Sequence, residues 1–124
     1  MLTEKFYDVI NKEGVVSIVS WGECEPHIVN TWNSYITVTP DERLLIPAAI
    51  MRKTEKNVNI NNKIKISLGS KEVIGYNDYQ GTGFIIEGTA KFISSGQEFE
   101  EMKEKFNFLT RVLEITISSS KQML

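Results

Sequence analysis

Short β-branched and aromatic runs recur along most of this sequence, and tight turn signals, not helical crossovers, separate them. Val15 to Trp21 reads Val-Val-Ser-Ile-Val-Ser-Trp, the polar turn Gly22-Glu23-Cys24-Glu25-Pro26 follows, and a second extended run opens at His27. The two runs form a hairpin. The second strand continues to about Val38 and stops at Thr39-Pro40-Asp41-Glu42, a type I turn signature. Further strands are read at Arg43 to Ile46, Ile64 to Leu68, Phe84 to Ile93 and Val112 to Ile117, leaving Ser118 to Leu124 as a tail. Gly88 inside the fifth strand predicts a bulge or barrel bend.

Helices are few and short. Thr3 caps the first, whose Phe6, Val9 and Ile10 share a face and which Gly14 is placed to end. A second begins with Thr54 as N-cap and leaves through a left-handed turn at Asn61-Asn62. Ser95 with Glu98 forms a capping box that launches the third, with Phe99, Met102 and Phe106 on one stripe. Six strands joined mainly as hairpins, with three short helices, predict a mainly β fold, an antiparallel barrel with helices at its periphery. A doubly wound parallel sheet needs strands and helices to alternate, which they do not do here. Gly81-Thr82-Gly83 accordingly precedes a strand and is not a dinucleotide fingerprint, which must open a helix.

With 124 residues, the chain reads as a single domain over residues 1–124, and no apolar run reaches the length of a membrane span. Met1-Leu2-Thr3-Glu4-Lys5 carries an acid where a secretion signal wants cations, so a cytoplasmic location is expected. A formal net charge of −2, with lysines and glutamates interleaved, argues against nucleic acid as a partner. His27 is the sole histidine and Cys24 the sole cysteine, so neither a conventional zinc site nor a disulfide can be assembled. Glu100, Glu101 and Glu104 alternate with Lys103 and Lys105 on a solvated helix face. No catalytic acid, base or nucleophile set stands out.

Two stretches do break local rules. In Ile46-Pro47-Ala48-Ala49-Ile50-Met51-Arg52-Lys53-Thr54-Glu55, two cations stand at a helix start. The positive end of a helix dipole disfavours cations by roughly 0.3 to 1 kcal/mol. A bound anion reverses that sign, and backbone N–H groups, a hydroxyl and two cations together make a phosphate site. In Asn30-Thr31-Trp32-Asn33-Ser34, two asparagines flank a tryptophan within a strand, a costly placement unless a ligand or a bent backbone supplies hydrogen-bond partners.

These two motifs, with Gly81-Thr82-Gly83-Phe84 and the Glu13-Gly14-Val15-Val16 opening, resemble the FMN-binding split-barrel superfamily related to pyridoxamine 5'-phosphate oxidase. The resemblance spans essentially the whole chain and is nearest to the small single-domain FMN-binding members from sulfate-reducing bacteria. It implies a six-stranded antiparallel split barrel of Greek-key type and a homodimer with FMN at the subunit interface. By that resemblance Lys53 and Thr54, with Arg52 adjoining, hold the FMN phosphate, and Asn30, Thr31, Trp32 and Asn33 line the ribityl chain and ring. Pro47, Ala48 and Met51 shape the pocket, Thr82 and Gly83 approach the ring through their backbone, and Leu124 reaches the partner's flavin.

The leading expectation is a flavoprotein that passes electrons between redox partners. The alternative is an enzyme, an NAD(P)H-dependent flavin reductase or a small-molecule reductase using bound FMN. A heme-binding barrel with His27 as axial ligand is a third, weaker reading.

Overall fold

The computed structural model describes all residues 1–124. Thr3 caps α1 (Glu4–Ile10), its hydroxyl accepting the N–H of Phe6 at 3.3 Å, and Phe6 and Val9 turn inward. Seven antiparallel strands follow: β1 (Val15–Trp21), β2 (Pro26–Trp32), β3 (Thr37–Val38), β4 (Arg43–Ala48), β5 (Lys63–Ile74), β6 (Gln80–Ile93) and β7 (Arg111–Met123). They form one sheet in the order β2-β1-β5-β6-β7-β4-β3, which curls into a split barrel. The helix α2 (Arg52–Ile60) packs on β1, β2 and β6, and α3 (Gln97–Lys105) on β4 and β7.

The strand count is seven, not six, because the long second strand does not exist as one piece. A 3-10 turn at Asn33–Tyr35 divides it, and its halves lie at opposite edges of the sheet. The cause is Asn33. Its buried side-chain Nδ2 donates to the carbonyls of Lys12 at 2.8 Å, Gly69 at 3.0 Å and Val9 at 3.3 Å, which stitches the turn to the end of α1 and to β5. Glu13 fastens the turn from outside, accepting the Ser34 hydroxyl at 2.7 Å and its N–H at 3.1 Å. Those bonds hold the Glu13 carboxyl below its ordinary pKa.

Strands β5 and β7 run well past the apolar cores that announce them. The Ser118 to Leu124 segment is strand almost to its end, with Met123 opposite Gly83 and Gln122 opposite Phe84. Both faces of that segment are largely exposed, so no alternating pattern marked it. The bulge expected at Gly88 is present as a register shift between Glu87 and Gly88. A Cβ on Gly88 would stand 2.1 Å from the Thr116 carbonyl oxygen, so only glycine admits this approach. The Thr39 to Glu42 turn also forms, closed by the Glu42 N–H to the Thr39 carbonyl at 2.9 Å.

The helix ends depart from expectation. Helix α2 starts three residues early, with Met51 in place of Thr54 as N-cap, and it leaves through an extended Asn61. Helix α3 is capped by Gly96 at φ 105° with no side-chain hydrogen bond, so Ser95 forms no capping box. Helix α1 ends at Ile10 through Asn11, and Gly14 instead lies against β5, where a Cβ would sit 2.1 Å from the Gly69 oxygen.

Inside the barrel, Val16 and Ile18 from β1, Ile46 from β4, Ile66 from β5, Ile86 from β6 and Ile115 from β7 meet Phe6 of α1. Each such side chain contributes about 1.5–3 kcal/mol on burial. Outside the barrel, Met102 of α3 packs on Leu45, Leu109 and Val112 in a separate cluster. No helix is long and apolar enough to cross a membrane.

Candidate functional site

The β4 strand ends in buried Pro47 and Ala48, and the chain then crosses to α2 through Ala49, Ile50 and Met51. Met51 adopts φ 45°, ψ 34°, a left-handed conformation that costs a non-glycine residue on the order of 1 kcal/mol or more. The reversal aims the first turn of α2 outward. Thr54 therefore lies inside that turn and is not its cap. The N–H groups of Arg52, Lys53 and Thr54 make no hydrogen bond within the chain, and Met51 supplies no side-chain cap. The Thr54 hydroxyl is fully buried and has no partner. Arg52 and Lys53 are exposed, Arg52 reaching Glu55 at a loose 3.6 Å and Lys53 pairing with no acid.

This set consists of donors and cations around one helix start, a composition that suits an anion with several acceptor oxygens. Lysines 53 and 56, with Arg52 and Asn57, wall a groove of about 860 Å³ whose other side is the β1–β2 turn, including Trp21 and Cys24. Asn57 ties the walls together by donating to Ser20 Oγ at 3.1 Å.

A second cavity, about 520 Å³, opens on the outer face of the sheet between Val15, Ser17, Gly69, Thr82, Gly83 and Leu124. Gly69 and Gly83 are there because their strands touch: a Cβ on Gly83 would stand 2.4 Å from the Leu68 oxygen. Thr82 donates its hydroxyl to the Met123 carbonyl at 3.0 Å and accepts Gln122 Nε2 at 3.2 Å. Leu124 is 62% exposed, while its carbonyl accepts the Tyr76 N–H at 2.8 Å.

The cross-strand pairs Val15 with Trp32 and Ser17 with Asn30 bring the β2 motif to the rim of this second cavity. Trp32 is 45% exposed, and Asn30 Oδ1 accepts the Ser17 hydroxyl at 2.9 Å. Their neighbours Thr31 and Asn33 are buried. The Asn33 amide is engaged with backbone carbonyls, though its Oδ1 is buried without a partner. The sequence-predicted residues thus fall into two groups along one hairpin. Arg52, Lys53 and Thr54 serve its turn end, whereas Asn30, Trp32, Thr82, Gly83 and Leu124 gather at its open end. Pro47, Ala48 and Met51 form the approach to α2.

Arg111 was not singled out from the sequence. It is a largely buried cation on β7 whose guanidinium reaches the loop before α2. Its only signal was a charge inside the apolar stretch Leu109-Thr110-Arg111-Val112-Leu113. Tyr35, in the 3-10 turn that follows Trp32, packs against Phe106 at 5.2 Å and against the exposed Phe108 at 5.6 Å.

Known proteins were compared with this chain. The family model described as pyridoxamine 5'-phosphate oxidase matches residues 2–123. The FMN-binding protein of Nitratidesulfovibrio vulgaris (strain DSM 19637 / Miyazaki F) is 44% identical over 124 residues, covering 100% of both chains. Among solved structures, HupZ of Group A Streptococcus superposes with a TM-score of 0.81 at 19% identity, over 99% of this chain and 94% of that one. An FMN-binding protein from Syntrophomonas wolfei subsp. wolfei gives 0.77 at 16% identity, over 98% and 85%. Those two likenesses are of fold. The family model and the full-length relative carry the assignment, and the chain belongs to the pyridoxamine 5'-phosphate oxidase family.

Proposed function

We propose that this chain is an FMN-binding flavoprotein that works as a homodimer and transfers electrons between redox partners. The observation that carries the reading is the start of α2, where the N–H groups of Arg52, Lys53 and Thr54 and the buried Thr54 hydroxyl lack acceptors beside an unpaired Lys53. A phosphomonoester satisfies all of these donors at once. The name of the full-length relative, an FMN-binding protein, supports FMN as the ligand that brings it.

In this reading Lys53, Thr54 and the α2 N–H groups bind the phosphate, and Arg52 adds positive potential from the rim. Asn30 and Trp32 contact the ribityl chain and ring, and Thr82 and Gly83 present backbone to the ring edge. Thr31 and Asn33 hold the β2 motif in shape from the buried side, while Pro47, Ala48 and Met51 shape the pocket between β4 and α2. When bound, FMN supplies one- and two-electron redox chemistry, and the protein supplies orientation, exclusion of water and electrostatics. The two cavities lie at different ends of the β1–β2 hairpin, which favours a site completed by a second copy, with Leu124 contributed across the interface. The walls of the outer cavity, from Val15 to Leu124, include no titratable side chain, which favours electron transfer over acid–base turnover of a substrate.

Titration with FMN and then gel filtration tests the assignment. The protein should emerge yellow with quenched flavin fluorescence, and a colourless protein with unchanged free flavin would sink it. Anaerobic mixing of the loaded protein with NADH or NADPH separates carrier from reductase: a carrier keeps its oxidised spectrum, and a reductase bleaches within the mixing time.

A further inference from the structure

We infer that Arg111 is a positioning residue that gives the α2 site its preference for a phosphate-bearing flavin, an inference that rests on the flavin reading above. One guanidinium holds the middle of the turn that creates the site. Its Nη2 donates to the Ile50 carbonyl at 2.6 Å, and its Nη1 donates to the Ala49 carbonyl at 3.4 Å and to Thr110 Oγ1 at 2.6 Å. Thr110 adds its N–H to the Ala48 carbonyl at 2.9 Å and its hydroxyl to the Ala48 and Ala49 carbonyls at 3.3 Å each. The carbonyls of Ala48, Ala49 and Ile50 are thereby drawn toward β7. Immediately afterwards Met51 turns left-handed, and the next three N–H groups are left without acceptors.

Carbonyls turned one way while the following N–H groups open into a site are steadied by a partner on the carbonyl side. Here that partner is a cation fixed by its own surroundings. Arg111 is 8% exposed and stacks over Phe92 at 5.3 Å from the ring centroid, so its direction is set by packing. No glycine eases the turn; its residues are Ala49, Ile50 and Met51.

The same side chain also manages a charge. Glu55 sits in the first turn of α2, where a carboxylate beside an incoming phosphate is repulsive. Arg111 Nε lies 3.0 Å from Glu55 Oε1, close enough for an ion pair, although the N–H is not aimed along a hydrogen bond. Arg52, the other cation near Glu55, stands farther off at 3.6 Å and is exposed. With Arg111 holding Glu55 from the buried side, Arg52 is free to face the anion. Without Arg111, the carboxylate takes Arg52 and opposes the phosphate.

The test measures dissociation constants for FMN and for riboflavin by fluorescence quenching in the full-length protein, the Arg111→Met variant and the Arg111→Met/Glu55→Gln double variant. Arg111→Met should weaken FMN by about tenfold and leave riboflavin within about twofold, since only FMN bears the phosphate. Adding Glu55→Gln should restore part of the FMN affinity. If Arg111→Met does not fold, Arg111→Lys, which keeps the charge but cannot span two carbonyls, replaces it, with the same flavin selectivity expected at smaller amplitude. Equal loss of both flavins, or unchanged FMN affinity, overturns the inference while leaving the flavin reading intact. A wild-type protein that binds neither flavin overturns the flavin reading itself.

Discussion

Thr54 is where stability and binding pull apart. Its hydroxyl is buried without a partner, and an unsatisfied buried polar group costs about 1–3 kcal/mol. Thr54→Val keeps the shape and removes the hydroxyl. The ligand-free variant should therefore melt higher, by the equivalent of about 1 kcal/mol in a thermal scan, while its FMN affinity falls several-fold. A ligand-free protein that melts lower after this change would show that the hydroxyl has a partner within the fold. Lys53→Ala, by contrast, should leave the melting temperature unchanged, because the side chain is exposed and unpaired, and should weaken FMN at least tenfold more than riboflavin in paired titrations. The sequence already marked both residues, since cations before a helix break a local preference. It placed the start of the helix at Thr54 and missed the cap, because a left-handed Met51 has no propensity signature. The carbonyls just before it are held by Arg111 and Thr110, some 60 residues away in the chain. Asn33 shows the same limit from the other side. Its awkwardness in a strand was legible, but its partners, Lys12 and Gly69, become neighbours only after folding.

Among the elements, α3 is tied to the barrel by one arginine as well as by its Met102 cluster. Arg43 on β4 donates to both carboxylate oxygens of Glu98 on α3, at 2.9 and 2.6 Å, to Asp41 at 3.0 Å, and to Glu114 on β7. Arg43 holds the carboxyls of Asp41 and Glu98 below their usual range, Asp41 down to about 2 with help from the Thr39 hydroxyl. Because these folded-state values are depressed, the stabilisation is complete above the ordinary carboxylate values of 3.8 and 4.5 and is lost as pH falls through the lowered ones. Protection factors of the Gln97–Lys105 amides, taken against intrinsic exchange at each pH, should therefore fall between about pH 4.5 and 2, ahead of those of the β1, β5 and β6 amides. In Arg43→Gln the lower protection should be present already at pH 7, with a loss of about 1–2 kcal/mol in denaturant unfolding, because Glu114, with only 11% of its side chain exposed, keeps just Lys91 at 3.5 Å. Protection in α3 that stays constant across the acid range would show that the Met102 cluster alone holds the helix. The amphipathic stripe of α3 was readable in the sequence. The ion network was not, since it joins residues 41, 43, 98 and 114 across three elements.

For the whole molecule, the hairpin pattern and turn residues were enough to reach an antiparallel barrel with peripheral helices, because each is a local signal repeated many times. What they could not reveal was the division of residues His27 to Val38 between two edges of one sheet, which depends on the Asn33 and Glu13 ties. That division leaves Trp32 at one edge, while β7 carries its exposed end across the outer cavity to Met123 and Leu124. Removing residues 123 and 124 tests whether this end completes a site between two copies. The deletion spares the core of β7, since Val112, Leu113 and Ile115 remain fully buried, but it removes the Met123 carbonyl that accepts the Thr82 hydroxyl and the Leu124 carbonyl that accepts the Tyr76 N–H. Thermal stability should drop by only about 1–2 kcal/mol for two hydrogen bonds and a frayed strand end. FMN affinity should fall by about tenfold, and riboflavin affinity should fall equally, because the lost contacts lie at the ring end and not at the phosphate. That parallel loss is the opposite of the selective loss expected for Lys53→Ala, so the two variants together assign the ends of the ligand to the two cavities. Sedimentation equilibrium with FMN present should show the shortened dimer dissociating already at higher concentrations than the intact one. If the shortened chain binds both flavins as tightly as the intact one and dimerises equally well, Leu124 takes no part in the site and the outer cavity serves something other than the flavin ring.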